Sequence, residues 1–179
     1  MRYCQAVLLV IAALVAAVAV KVVPLQRKDD PAALSEHNDR LALPDVISRT
    51  EPLTVRVFFG NSRLDPQASD DEVFAVERCI PRTSAVARGA LEELLKGPAD
   101  EETAQDYFTS INTGVRIQRL AIADGTATVD FDEQLEFQVC GACRVSAIRA
   151  QIARTLRQFP TVDEVIISIN GRTEDILQP

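Results

Sequence analysis

The closing stretch FPTVDEVIISINGRTEDILQP, Phe159 to Pro179, carries the signals that decide the fold. Pro160 has no N–H and clashes with a preceding helical turn, so it ends a helix arriving from upstream. Val162–Ile169 is rich in β-branched residues and predicts a buried strand. Asn170-Gly171 then predicts a tight turn into a polar tail, Arg172–Pro179. Upstream, Val145, Ile148, Ile152, Leu156 and Phe159 recur at helical spacing and predict a helix over 145–159. Arg154 and Arg157 lie near its C-terminus, where they complement the helix dipole.

The same helix–strand grammar appears earlier in the chain. In LTVRVFF, from Leu53, the apolar Leu53, Val55, Val57 and Phe59 alternate with Thr54 and Arg56, a strand period. Gly60-Asn61-Ser62 predicts its end, and a second strand spans Val73–Ile80. Ser84 is placed to cap a helix whose stripe is Val86, Ala87, Ala90, Leu91, Leu94 and Leu95, with Glu92 and Lys96 as an i,i+4 pair. Gly97-Pro98 stops that helix. A helical turn over 101–108 follows, then strands Val115–Ala123 and Thr126–Phe131 joined by the hairpin turn Asp124-Gly125. The order β-β-α-β-β-α-β predicts an α/β two-layer sandwich, two helices packed on one mixed β-sheet.

The 179-residue chain divides into three parts. Residues 1–23 hold the unbroken apolar run Ala6–Val20 behind Arg2, a signal peptide or an anchor helix. Ala17-Val18-Ala19 offers a cleavage site, whereas Val20, Val22 and Val23 continue the apolar stretch past Lys21 and favour a single-pass anchor. Residues 24–52 form a tether broken by Pro24, Pro31, Pro44 and Pro52. Residues 53–179 form the folded domain, expected outside the cytoplasm under either reading. The net charge of −7 argues against nucleic acid as a partner, because phosphate capture needs a basic footprint.

Candidate chemistry is sparse. Asp130, Asp132, Glu133 and Glu136 sit at a strand end and its loop, not in contrasting environments across a cleft, so no catalytic residues are assigned. Asp70, Asp71 and Glu72 lack the glycine-bearing spacing of a calcium loop. Cys79, Cys140 and Cys143 are one ligand short of a closed zinc site, and the lone His37 lies in the tether, so neither a metal nor a cofactor is expected. These cysteines are instead disulfide candidates. Cys79 could pair with Cys140 or Cys143, closing a loop of about 60 residues and stabilising by roughly 4 kcal/mol in the chain-entropy model; a Cys140–Cys143 bond competes. Cys140-Gly-Ala-Cys143 before a helix also has the outline of a thiol–disulfide exchange motif, with Arg144 as an adjacent cation. Arg144, Arg149 and Arg157 on the second helix form a candidate interaction patch, against the plainer reading of solvated surface arginines.

Three blocks in order, LEELLKGP from Leu91, GTATVDFDEQL from Gly125 and AQIARTLRQFPTVDEVIISINGR from Ala150, resemble the GerMN domain of spore-germination proteins. The resemblance spans about residues 53–171. It implies a non-catalytic α/β module on bacterial envelope proteins, anchored by lipid or a transmembrane segment and mediating protein association. The family's presence beyond spore formers means that germination itself is not implied, and the cysteines depart from its pattern. The function expected is a membrane-tethered extracytoplasmic module that binds an envelope protein or itself. The alternative is an extracytoplasmic thiol–disulfide protein using Cys140 and Cys143.

Overall fold

The computed structural model describes residues 51–178 other than 68 and 70. The anchor or signal segment expected over 1–23, nearly all of the 24–52 tether, and His37 lie outside the described residues. Among those described, no helix is long and apolar enough to cross a membrane. Residues from Pro52 onward form one compact unit.

Six strands and three α-helices build it: β1 (Leu53–Asn61), β2 (Phe74–Ile80), α1 (Val86–Leu95), α2 (Asp100–Thr103), β3 (Tyr107–Phe108), β4 (Ile117–Ala123), β5 (Thr126–Phe131), α3 (Ala142–Leu156) and β6 (Glu164–Ile169). A 3₁₀ turn, Glu133–Leu135, follows β5. The strands do not form the single mixed sheet expected. They form two three-stranded sheets, ordered β2-β1-β3 and β4-β5-β6. β1 is antiparallel to β2 and β3, β4 to β5, and β6 runs parallel to β5.

The separation has a visible physical basis at the second edge of β1. Where another strand would continue the ladder, side chains of α3 and its C-terminal turn take its place. The Arg56 N–H donates to Gln158 Oε1 at 2.8 Å, and Gln158 Nε2 returns a bond to the Arg56 carbonyl at 2.6 Å. One residue pair along, the Phe58 N–H donates to Thr155 Oγ1 at 3.3 Å. The edge is satisfied by side chains without a strand. Only its last two residues, Gly60 and Asn61, find a strand partner, in Phe108 and Tyr107. That pairing also explains why β1 runs through Gly60-Asn61, where the sequence predicts an end. The Phe108 ring lies across Gly60 so closely that any Cβ there would overlap it.

One main core serves both sheets. Val57 and Phe59 from β1, Leu91 and Leu94 from α1, Ile148, Ile152 and Leu156 from α3, and Ala127, Val129 and Phe131 from β5 are buried together. α1 and α3 pack on β1 and on each other. The predicted alternation of β5 holds, since Ala127, Val129 and Phe131 have no exposed surface. Both predicted two-residue turns take left-handed backbone, with φ of 50° and 81° at Asp124-Gly125 and 50° and 77° at Asn170-Gly171.

Several local expectations are corrected. α1 is preceded by Ala85 rather than capped by Ser84; Thr83 Oγ1 instead accepts the Ala85 N–H at 3.1 Å. Glu92 pairs with Arg88, not Lys96, while Lys96 reaches Glu93. Arg88 faces β4, where its Nη2 donates to the Ile117 carbonyl at a register shift, and this holds its guanidinium within reach of Glu92. The tail is not merely polar, because Ile176 and Leu177 join the core. Arg149 Nη2 donates to the Ile176 carbonyl at 3.1 Å, and Arg172 forms an ion pair with Glu136.

Candidate functional site

The residues singled out by the sequence meet different fates around α3. Cys140 and Cys143 flank its start, with Gly141 as the N-cap residue at φ 89° and Cys143 in the first turn. Both are exposed thiols, bonded neither to each other nor to Cys79. The staple expected from Cys79 to one of them is not formed: Cys79 lies opposite Thr54 at the start of β1, whereas Cys143 lines a cavity with Gly60 near its end.

The arginine set divides as well. Arg144 is half-buried and acts as a brace: its Nε donates to the Ser110 carbonyl at 3.2 Å and its Nη2 to Asn112 Oδ1 at 2.6 Å. Asn112 Nδ2 in turn donates to the carbonyls of Gln134 and Phe137, both at 2.8 Å. These bonds fix the loop that delivers the CxxC segment. Arg149 and Arg157 line a shallow groove of about 430 Å³ together with Arg154, which the sequence assigned only to the helix dipole, and with Asp71. The spacing 149–153–157 runs along one helix face, and 150–154 adjoins it. That periodicity was the available signal for including Arg154 and omitting Arg144.

The carboxylate cluster secures turns. Asp130 Oδ1 accepts from Ser168 Oγ at 2.7 Å and from the Gly171 N–H at 2.8 Å, tying the Asn170-Gly171 turn to β5. Asp132 Oδ1 accepts the Arg116 N–H at 3.0 Å. Glu133 accepts from Asn170 Nδ2 at 3.0 Å, and this bond, with help from its own backbone N–H, holds its carboxyl below the ordinary 4.5. Among the described residues no three or more His, Cys, Asp and Glu side chains gather as a metal site.

Sequence reasoning missed the polar residues inside the α3 stripe. Gln151 and Thr155 have no exposed surface. They fall at i+3 and i+7 from Ile148, so their position on the buried face was legible, but their partners across the fold were not. A second missed feature is a largely buried ion pair: Arg78 on β2 meets Glu102 of α2 in a bidentate contact, with the guanidinium 5.8 Å from the Phe59 ring centre.

A protein-family model described as Germane, sporulation and spore germination, matches residues 56–175. Among solved structures, the first GerMN domain of the sporulation protein GerM from Bacillus subtilis is similar at 22% identity with a TM-score of 0.52. The match covers 68% of this chain and 85% of that one. The tandem GerMN domains of the same protein are similar at 17% identity with a TM-score of 0.51, covering 68% of this chain but only 40% of the tandem structure. No curated protein matches the sequence.

Proposed function

Because the chain belongs to the Germane family of sporulation and spore germination domains, we propose that it is a non-catalytic association module of the bacterial cell envelope. In this reading residues 1–23 tether the domain to the membrane as a single pass, the domain faces away from the cytoplasm, and its partner is an envelope protein or a second copy. The observation that carries the reading is the extent of the match, 56–175, which takes in both sheets and all three helices as one unit. The carboxylates most suggestive of catalysis are engaged in turn-forming hydrogen bonds, and the groove lined by Arg149, Arg154 and Arg157 offers a surface for an acidic segment.

The test is photo-crosslinking in intact cells from position 153, which lines the same groove, with Arg154→Glu and Arg157→Glu as the disrupting pair. Arg149 is left untouched because it braces the tail. A discrete adduct that disappears on charge reversal, with an unchanged thermal midpoint, is the expected result. A domain that yields no adduct and works normally after reversal would end the proposal for this face. Membrane tethering is checked separately by fractionation, where full-length chain released by high salt would contradict it.

A second reading rests on a specific observation, the two exposed thiols at the start of α3. As a dithiol, Cys140 and Cys143 would pass two electrons and two protons to a substrate disulfide and become a disulfide themselves. Replacing both by serine discriminates the readings. An association module keeps its crosslinks and stability, with changes within about 0.5 kcal/mol for exposed sites. An exchange protein loses all reductase activity towards a disulfide probe.

A further inference from the structure

β4 is an edge strand whose outward groups are set by the ladder it joins. The Glu164 N–H donates to the Gly125 carbonyl at 3.0 Å, and the Asn170 N–H to the Phe131 carbonyl at 2.9 Å. Gly125 and Phe131 thus face β6, and with them every odd-numbered residue of β5. The even-numbered Thr126, Thr128 and Asp130 bond β4 through Ala123, Ala121 and Arg119. Leu120 and Ile122 are left with their N–H and C=O groups pointing away from the sheet. Ile117 faces the same way and is already met by α1, where Arg88 Nη2 donates to its carbonyl at 3.0 Å. Among the described residues nothing bonds the outward backbone of Leu120 or Ile122. An edge left in this state is a template for another strand.

A groove of about 340 Å³ lies beside this edge, lined by Leu120 and Ile122 of β4, Ala85 and Val86 at the start of α1, and Phe159 and Thr161 beyond α3. The Leu120 and Ile122 side chains share a face with their buried partners Val129 and Ala127. A strand added to β4 would therefore turn every second side chain towards the groove. Ile122 keeps 38% of its surface exposed there. The other face of β4 is basic. Arg119 stands on it opposite Asp130, and Arg116 lies at the same end of the strand; both are exposed. Neither makes an ion pair among the described residues. Asp130 does not neutralise Arg119, because its Oδ1 accepts from Ser168 and Gly171. A carboxylate on an added strand is the complement these guanidiniums lack.

We propose that β4 takes up an extended segment of a partner protein as a fourth strand of its sheet, with apolar side chains entering the groove and acidic ones facing Arg116 and Arg119. Main-chain bonds to Leu120 and Ile122 hold the segment, and the alternation of apolar and acidic residues selects it. A second copy of β4 is the poorer occupant, because Ile117–Ala123 contains no carboxylate to offer these arginines. The proposal rests on the association reading and places it on a different face from the groove of Arg149, Arg154 and Arg157. A lost crosslink at α3 and a lost peptide at β4 are therefore separate failures.

The experiment titrates the full chain, followed by NMR, with short synthetic peptides that alternate valine with glutamate or valine with lysine. The glutamate peptide is expected to bind, to shift the Leu120 and Ile122 amide signals, and to slow their hydrogen exchange about tenfold. The lysine peptide should bind about tenfold more weakly. Ile122→Pro removes an outward N–H that the sheet does not use and obstructs the incoming strand, so it should abolish binding; proline is tolerated at such an edge position. Arg119→Glu alters an exposed side chain and keeps the test informative if the proline variant fails to fold. It should reverse the preference between the peptides. Absence of binding by either peptide overturns the proposal, as does binding that leaves the Leu120 and Ile122 amides unchanged. Equal binding of the two peptides, or a preference that survives Arg119→Glu, removes the acidic partner. A dimer in light scattering that Ile122→Pro dissociates, in a chain that takes up neither peptide, assigns the edge to a second copy and overturns it equally.

Discussion

Replacing Thr155 by valine tests the strand-like role of α3 at its most exposed physical point. Valine preserves the shape of a side chain that has no exposed surface, and removes only the hydroxyl that accepts the Phe58 N–H at 3.3 Å. The part-buried amide is then left without an acceptor. An orphaned buried donor costs about 1–3 kcal/mol, and the length of this bond places the expected loss in the lower half, about 1–2 kcal/mol. Thr155→Ser is the control: it keeps the acceptor and deletes one buried methyl, costing about 1 kcal/mol. The two variants therefore lose similar global stability and differ locally. Urea unfolding measures the first quantity, and native-state hydrogen exchange at the Phe58 amide the second. In Thr155→Val that amide should exchange faster than global unfolding accounts for, by about tenfold for each 1.4 kcal/mol of local opening. In Thr155→Ser its exchange should follow the global change alone. The reasoning is refuted if Thr155→Val costs less than about 0.3 kcal/mol and leaves the Phe58 amide as protected as before. β1 would then have no need of the helix side chain at its edge.

Three further outcomes follow from named contacts. Ile176→Ala should destabilise by about 2–4 kcal/mol in denaturant titration, as for a core isoleucine, because Ile176 is 2% exposed; a loss below about 0.5 kcal/mol would return the tail to the solvent. Glu102→Gln strands Arg78, whose side chain is 16% exposed against 11% for Glu102, and also weakens the bond that Glu102 Oε2 accepts from the Ala99 N–H. Breaking a fully buried pair costs about 3–5 kcal/mol, so partial exposure sets about 2–3 kcal/mol here, and a thermal midpoint equal to wild type would contradict it. Glu133 titrates below 4.5 chiefly because of Asn170, so its contribution to stability is complete above its unfolded value and disappears as pH falls through the lower folded value. Asn170→Gly, which tolerates the φ of 50°, should bring the Glu133 carboxyl back up towards 4.5 in an NMR titration, and an unmoved titration would remove Asn170 as the cause.

The strand edges divide according to what the helices offer them. Thr155 and Gln158 complete the edge of β1, whereas Arg88 of α1 reaches only the Ile117 carbonyl of β4 and leaves Leu120 and Ile122 for something else. The CxxC segment stands at the opposite end of α3 from Gln158, where Cys143 lines a cavity with Gln151. Substitution of that cysteine consequently tests the thiol reading without touching the groove beside β4.

The sequence by itself determined most of the elements, two of the turns and the family, but not β3, which lies within the helical turn expected over 101–108. Period-2 and period-3.6 apolar patterns are local properties of the chain, and Val57, Phe59, Val129 and Phe131 had to be buried on one side of their strands wherever those strands lay. Asp124-Gly125 and Asn170-Gly171 fixed their own turns, because few residues accept left-handed backbone cheaply. Tertiary structure alone decided how the strands were shared between sheets, which arginines were surface and which were braces, and that Cys140 and Cys143 stand as exposed thiols. Each of these depends on what meets an element across the fold: Gln158 on Arg56, 102 residues away, or Arg144 on Ser110 and Asn112. Periodicity tells a side chain which way to face. Hydrogen-bond partners at such separations are chosen only when the backbone has closed, because satisfaction of a buried polar group is a property of the place and not of the residue.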